Sequence, residues 1–255
     1  MREPCGAIAV VMLGRFGSLR YSFWYAYCWL SRWKGAVTQS DESAIIQRLA
    51  GETAPRTFVE FGFHPREFNC IRLAADPSWR GLVIDGDAAM IAKTRGQPLF
   101  NHTKIEHRFL TLDNLDIVRD AFPDIGVLSI DVDGNDYWFL KALIDLRPSV
   151  ICVEYNSSFG LEPVTVPYDA DFDRHAKHPS GWYHGASLAA FCNLCASHGY
   201  GLAAVSEGGG NAFFTKKGNL RPEEAWRPSL LRRRFSGVDQ KGQWAAIKHL
   251  NFVPV

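Results

Sequence analysis

Long apolar runs are missing from this sequence. No segment reaches the ~18 apolar residues that a membrane-spanning helix needs. The nearest candidate, CGAIAVVML (5–13), is short, and the acidic Glu3 before it makes a poor secretory signal. An excess of one charge is missing too. Lys and Arg number 28 against 27 Asp and Glu, so no global field points to nucleic acid or to anionic membranes. The six cysteines (5, 28, 70, 152, 192 and 195) are scattered, several of them inside apolar segments. That argues against a disulfide framework and for reduced core thiols in a cytoplasmic protein. Cys192 and Cys195 form one C-x-x-C within a helical pattern, without the second pair that a zinc ribbon needs. Internal repeats and low-complexity linkers are absent as well.

What is present suits one α/β domain with extensions, and 255 residues are enough to bury a proper core. Residues 1–37 read as an aromatic helical extension. Within it, YSFWYAYCWL (21–30) carries six aromatics between Arg20 and Arg32. It suits either a helix docked on the domain or on a second subunit, as in a homodimer, or an interfacial helix in weak peripheral contact with a membrane. Ser40 is placed to cap a helix holding Ile45, Ile46 and Leu49. Strands are expected at TFVEF (57–61), LVID (82–85), HRFLT (107–111), VLSI (127–130) and SVICVEYN (149–156). Helices are expected between them at 66–75, 87–95, 113–121 and 136–144. This alternation implies a doubly wound, Rossmann-like parallel sheet. Residues 157–185 lack periodicity and read as a lid or binding segment. Helix 186–198 and two closing strands, GLAAV (201–205) and NAFFTK (211–216), complete the domain at about residue 217. The tail, 218–255, reads as an extension packed on the same domain, with Arg232-Arg233-Arg234 as a solvated face.

The chemistry gathers at strand ends, where an open parallel sheet binds its ligands. In GVLSIDVDGN (126–135), an apolar strand ends in Asp131 and Asp133. Gly134 permits a tight turn there, and Asn135 is placed to cap the next helix. Glu60, Asp85, Glu154 and Asn156 close the neighbouring strands. The first turn, Glu60-Phe61-Gly62-Phe63-His64, lacks the glycines of the G-x-G-x-x-G phosphate cradle, and its acid would repel a phosphate. It suits instead the positive amino group of S-adenosylmethionine. Asp85 is placed to accept two hydrogen bonds from ribose hydroxyls.

Taken together, TFVEFG, GLVIDG, LSIDVDGNDYW, VEYN, YHGASL and GNAFF resemble the FkbM-type class I S-adenosylmethionine-dependent methyltransferases. The nearer likeness is to the bacterial branch associated with polysaccharide biosynthesis. The resemblance spans residues 38–217. It implies a seven-stranded, mostly parallel sheet whose last strand is antiparallel. It also implies cofactor contacts from Glu60 and Gly62 to the methionine part, from Asp85 and Gly86 to the ribose, and from Asp131. His64-Pro65-Arg66 departs from the smaller residues usual in the family. A second likeness, to the metal site of catechol-type and sugar O-methyltransferases, implies Mg²⁺ held by Asp131, Asp133, Glu154 and Asn156. Hard oxygen ligands suit that ion, which lowers the pKa of a bound hydroxyl. Glu154 and Asn156 are not adjacent here, and the lysine base of those enzymes is absent.

His184 is then the first choice for a general base and His64 the second, since imidazole titrates near working pH. Trp138, Tyr168, Trp182 and Tyr183 are candidates for stacking on a sugar, and Asp173, His175 and His178 form a loose cluster in the lid segment. The function implied is O-methylation of a hydroxyl on a sugar, glycan precursor or similar small polar acceptor. Two rivals stand beside it: a catalytically silent scaffold of the same fold, and a nicotinamide-dependent oxidoreductase, which the missing glycines disfavour.

Overall fold

A computed structural model describes residues 40–51, 54–64 and 67–255. The aromatic extension over 1–37, the secretory-signal candidate, and Pro65 and Arg66 lie outside the described residues.

Seven strands form one sheet: β1 (Thr57–Phe61), β2 (Arg80–Asp85), β3 (Thr103–His107), β4 (Val127–Ile130), β5 (Val150–Glu154), β7 (Gly201–Val205) and β8 (Asn211–Thr215). Their order is β3-β2-β1-β4-β5-β8-β7. The first five run parallel, and β8 is antiparallel to both β5 and β7. This is the mostly parallel, doubly wound sheet with an antiparallel last strand that the sequence led us to expect. A separate two-residue strand, β6 (Val164–Thr165), pairs with β9 (Val253–Pro254) and ties the tail to the segment after β5.

Alternation along the strands makes two cores. Val59, Phe61, Leu82, Ile84, Leu128 and Ile130 face α5 (Asp136–Leu143) and α7 (Leu188–Ser197). Phe58, Val83, Val127, Val150, Cys152 and Phe213 face α1 (Glu42–Ala50), α2 (Ile71–Ala74) and α3 (Ala88–Thr94). Burying each such side chain contributes roughly 1.5–3 kcal/mol. A smaller third cluster joins Phe159 and Tyr183 to Trp244, Ile247 and Phe252 of the tail.

Several elements differ from expectation. β3 ends at His107, where the strand was expected to begin, because its register with β2 pairs Gly81 with Thr103 and Asp85 with His107. It is an edge strand whose TKIEH sequence is polar at every position but Ile105, whereas the apolar pair Phe109 and Leu110 lies in the loop just after it. The helix expected at 113–121 is a 3₁₀ turn (Leu112–Asn114), closed by a Thr111–Asn114 capping box, followed by α4 (Asp116–Arg119). The helix expected over 66–75 is regular only at α2. Ser40 does not cap α1; its hydroxyl donates to Glu42 at 2.9 Å and accepts from the Gly208 N–H at 3.1 Å. Helices α3 and α7 start where expected, capped by Asp87 and Ser187.

The tail holds α8 (Pro222–Ala225), α9 (Leu230–Ser236) and α10 (Gln240–Ile247), and the lid segment holds α6 (Arg174–Lys177). Tyr155, just past β5, donates to the Arg227 carbonyl at 2.7 Å and accepts from its N–H at 3.3 Å. Tyr155→Phe should therefore lower unfolding free energy by about 1 kcal/mol, read by urea denaturation; an unchanged midpoint would show that these bonds do not hold the tail.

Candidate active site

The strand order reverses between β1 and β4, where chain ends diverge and a crevice opens. A cavity of about 1120 Å³ fills it. Gly62 and His64 line it from β1, Asp85 and Gly86 from β2, Asp131 and Asp133 from β4, and Glu154 from β5. Phe172, Arg174, Trp182 and His184 close it from the lid segment, and Leu231, Arg232 and Phe235 from α9.

Gly62 sits at the base. The Asp131 N–H donates to the Phe61 carbonyl at 3.0 Å, so the ends of β1 and β4 remain in register to this point. Gly62 then turns at φ +75, and an added Cβ would lie 1.5 Å from the Asp131 carbonyl oxygen. No other residue fits. On the β4 side the left-handed residue is Asp133 (φ 57), not Gly134 as expected. Gly134 is required for another reason, since a Cβ there would meet the Phe172 ring at 2.2 Å. The turn is held by Asp136, which accepts from the N–H groups of Val132 (2.9 Å) and Gly134 (3.0 Å). Burial pushes the Asp136 carboxyl up to about 7. Asn135 does not cap α5; its side chain pairs with the Asp169 backbone and pins the lid segment.

Asp85 Oδ1 accepts from the Asp87 N–H at 2.7 Å. No described donor reaches its other oxygen, which leaves a carboxylate edge at the cavity. Burial raises its pKa. Glu60, expected against the cofactor, does not line the cavity. It lies on the other sheet face, with Phe58, and is buried. Its two oxygens accept from the N–H groups of Asn69 (2.9 Å) and Cys70 (2.8 Å), closing the start of α2.

Asp131 and Glu154 face the cavity with no described hydrogen-bond donor on either carboxylate. Burial, and then the charge of Glu154 and of Asp133, holds Asp131 well above the usual carboxylate range. Burial, with Asp133 and Asp136 behind it, pushes Glu154 up to about 8 against the pull of Arg232 and Arg174. One oxygen each of Asp133 and Glu154 and one nitrogen of His184 lie within 4.8 Å of one another. Asp133 is paired with Arg174.

His184 is 1% exposed. Its Nδ1 lies 2.8 Å from the Gly181 carbonyl and its Nε2 lies 3.3 Å from Arg232 Nη2. A carbonyl only accepts and a guanidinium only donates, so Nδ1 carries the proton and Nε2 keeps its lone pair. Burial, then the charges of Arg232 and Arg174, hold its pKa well below the ordinary imidazole value. Glu154 Oε2 lies 3.8 Å from Nε2, so it faces a neutral ring.

Asn156, expected as a metal ligand, is spent. Its amide donates to the carbonyls of Trp182 and His184, both at 2.7 Å. Its oxygen accepts from the Ser158 N–H at 2.9 Å and from Arg232 Nη1 at 2.5 Å. Those four bonds fill an amide's capacity. Of the stacking candidates, only Trp182 lines the cavity. Trp138 donates to the Val166 carbonyl, Tyr168 accepts from the Leu112 N–H, and Tyr183 donates to Asn251. In the lid segment, Asp173 caps α6 by accepting from His175 and Ala176. The residue that sequence reasoning missed is Arg232. Nothing in Arg232-Arg233-Arg234 marks which one turns inward; Arg233 and Arg234, each 100° further round the helix, are exposed.

No protein-family model matches the chain, and no curated protein sequence matches it. Among solved structures it is similar to cofactor-bound Rv0187 from MTB, at 17% identity over 82% of this chain and 94% of that one, with a TM-score of 0.49. It is similar to an O-methyltransferase from Bacillus cereus in complex with SAH, at 17% identity over 80% and 91%, with a TM-score of 0.48. It is also similar to the O-methyltransferase TomG from Streptomyces achromogenes, involved in tomaymycin synthesis and bound to SAM, at 17% identity over 80% and 90%, with a TM-score of 0.45. At such identities and TM-scores these likenesses carry no functional statement.

The Gly62 geometry yields a stability prediction. Gly62→Ala should cost more than about 2 kcal/mol by chemical denaturation, because the substitution meets both a positive φ and the backbone of β4. A near-neutral result would mean that the β1 and β4 ends separate readily.

Proposed function

We propose that the chain is a class I S-adenosylmethionine-dependent O-methyltransferase acting on a hydroxyl of a sugar, glycan precursor or similar small polar acceptor, of the FkbM type that its motifs resemble. The observation that carries this reading is the acid-lined cavity at the β1–β4 switch point, with no glycine-rich phosphate cradle beside it. Such a crevice repels a dinucleotide's pyrophosphate and favours a ligand bearing a sulfonium and an ammonium group. When bound, S-adenosylmethionine supplies an electrophilic methyl group for in-line transfer to oxygen.

The residues fit that cofactor. The unpaired oxygen of Asp85 would accept from ribose hydroxyls, and Gly62 and Gly86 line the wall on either side of it. Asp131 replaces Glu60 as the acid for the amino group, since Glu60 is closed off behind the sheet. Trp182 offers the acceptor a flat apolar face. His64 also lines the cavity, near the first turn.

The base is better sought in the carboxylates than in His184, whose lone pair is held by Arg232 and whose basicity is low. Glu154, raised to about 8, is matched to taking a proton from a hydroxyl near neutral pH.

Mg²⁺ does not fit this donor set. Asn156 has no free lone pair, the lone pair of His184 Nε2 faces a guanidinium, and Asp133 is paired with Arg174. Arg174 and Arg232 already supply part of the charge that the acids require.

No helix among the described residues is long and apolar enough to cross a membrane. Cys70, Cys152, Cys192 and Cys195 are unpaired, which supports a reducing, cytoplasmic setting. A link to polysaccharide biosynthesis and a homodimer complete the proposal.

Calorimetric titration with S-adenosylmethionine should give micromolar binding to the wild type, weakened at least about tenfold in Asp85→Ala. No binding to the wild type would sink the proposal, and binding without turnover on a panel of sugar acceptors would favour a scaffold. Where turnover is found, kcat/KM should rise with pH as Glu154 loses its proton near pH 8, because the base acts only when deprotonated. Glu154→Gln should remove that rise, and a rise that survives the substitution would move the base elsewhere.

A further inference from the structure

Of the groups that close the acid cluster to a divalent ion, Arg232 is the one that occupies both Asn156 Oδ1 and His184 Nε2. We propose that this residue, carried in by the tail, is the permanent cation of the site. In this view its guanidinium stands where metal-dependent O-methyltransferases hold their ion, and it offers N–H donors to the acceptor oxygen. This rests on the methyltransferase reading.

The guanidinium is fixed from three sides. Nη1 donates to Asn156 Oδ1 at 2.5 Å and to Ser158 Oγ at 3.0 Å, and Nη2 donates to His184 Nε2 at 3.3 Å. Of its five N–H donors, one on Nη2 and the one on Nε stay uncommitted. Arg232 lines the same cavity as Asp131 and Glu154.

The supports are themselves tied down. Ser158 Oγ donates to the buried Gln243 at 2.7 Å, and Gln243 returns to the Val238 carbonyl at 2.7 Å. Ser229 caps α9 by accepting from the Arg232 N–H at 3.2 Å, and its own N–H donates to Ser157 Oγ at 2.9 Å. The His184 Nδ1–H, committed to the Gly181 carbonyl, leaves Nε2 able to face only a donor or a cation. A mere clamp between tail and domain needs none of this acidic surrounding. Arg174, the cation paired with Asp133, rides on the short α6 with its side chain 35% exposed, where water screens it.

Removing the guanidinium should convert the site into a metal site. Asp133, Glu154 and His184 already bring their ligand atoms within 4.8 Å of one another, and His184 Nε2 would be freed. Mn²⁺ titration followed by electron paramagnetic resonance reads this without any acceptor. The wild type should show no Mn²⁺ binding that depends on Glu154. Arg232→Met should bind Mn²⁺ at least about tenfold more tightly, because a cation a few ångströms away has been deleted. Adding Glu154→Gln should abolish the gain, and Arg232→Lys, which keeps the charge, should not show it.

Wild-type Mn²⁺ binding that is lost in Glu154→Gln would overturn the proposal, and so would an Arg232→Met protein, folded by circular dichroism, that gains none. Should Arg232→Met fail to fold, the wild-type and Arg232→Lys titrations still decide. S-adenosylmethionine calorimetry on the same wild-type sample keeps the two readings apart. Loss of cofactor binding removes the methyltransferase reading, whereas the metal result concerns Arg232 alone.

Discussion

Four carboxylates, Asp131, Asp133, Asp136 and Glu154, crowd the carboxyl ends of β4 and β5, and the architecture around the cavity answers their mutual repulsion. Two like charges about 5 Å apart repel by roughly 3 kcal/mol at an effective dielectric of ~20. Asp136 is relieved locally by two backbone N–H groups. Of the others, Asp133 is paired directly with Arg174 of the lid segment, and Glu154 feels the charge of Arg232 of the tail. The charge that makes the site also draws the two segments that enclose it. Asp131, Glu154 and Asp136 keep raised pKa values, through burial first and like-charge neighbours after it, and a cationic ligand still gains by entering.

Asn156 is where that enclosure is organised. It binds the lid through the carbonyls of Trp182 and His184 and the tail through Arg232, while its own turn is closed by the Ser158 N–H. A fully satisfied buried amide is rigid, and the loss of any one partner would strand a polar group away from water. Lid and tail are therefore mechanically joined through one side chain, which favours a preformed acceptor site over one assembled by separate movements.

Much of this fold was legible because its information is local. β2, β4 and β5 are apolar runs that end in acids, and an acid at the end of an apolar run marks a strand's carboxyl edge: Asp85, Asp131 and Glu154 follow Ile84, Ile130 and Val153. Glu60 differs by one position. It lies inside β1, and the two-residue period of a strand sends it to the face opposite Phe61. Strict attention to that period would have removed it from the site. The edge strand β3 was misplaced because an edge buries one face only and its polar residues hide it. The place of Arg232, and the partners that occupy Asn156, were beyond reach for a different reason. Their hydrogen bond joins residues 76 apart in sequence, and neither helix periodicity nor motif spacing encodes a contact made by docking a tail.

A fixed guanidinium in place of a divalent ion changes what the rest of the site must supply. A metal acidifies a bound hydroxyl strongly by direct coordination, and a weak base then suffices. Arginine stays charged at all working pH values and orients its donors well, but it polarises an oxygen less than a coordinated cation does. The deprotonation must then fall to a stronger base. Burial and like-charge neighbours make one here, since they lift Glu154 to about 8 where an ordinary glutamate would be too weak to accept a hydroxyl proton. The raised carboxylate and the inward arginine are in this sense one adaptation. Arg232 neutralises part of the cluster so that it can exist without a metal, and burial, with the residual repulsion behind it, sets the basicity of Glu154.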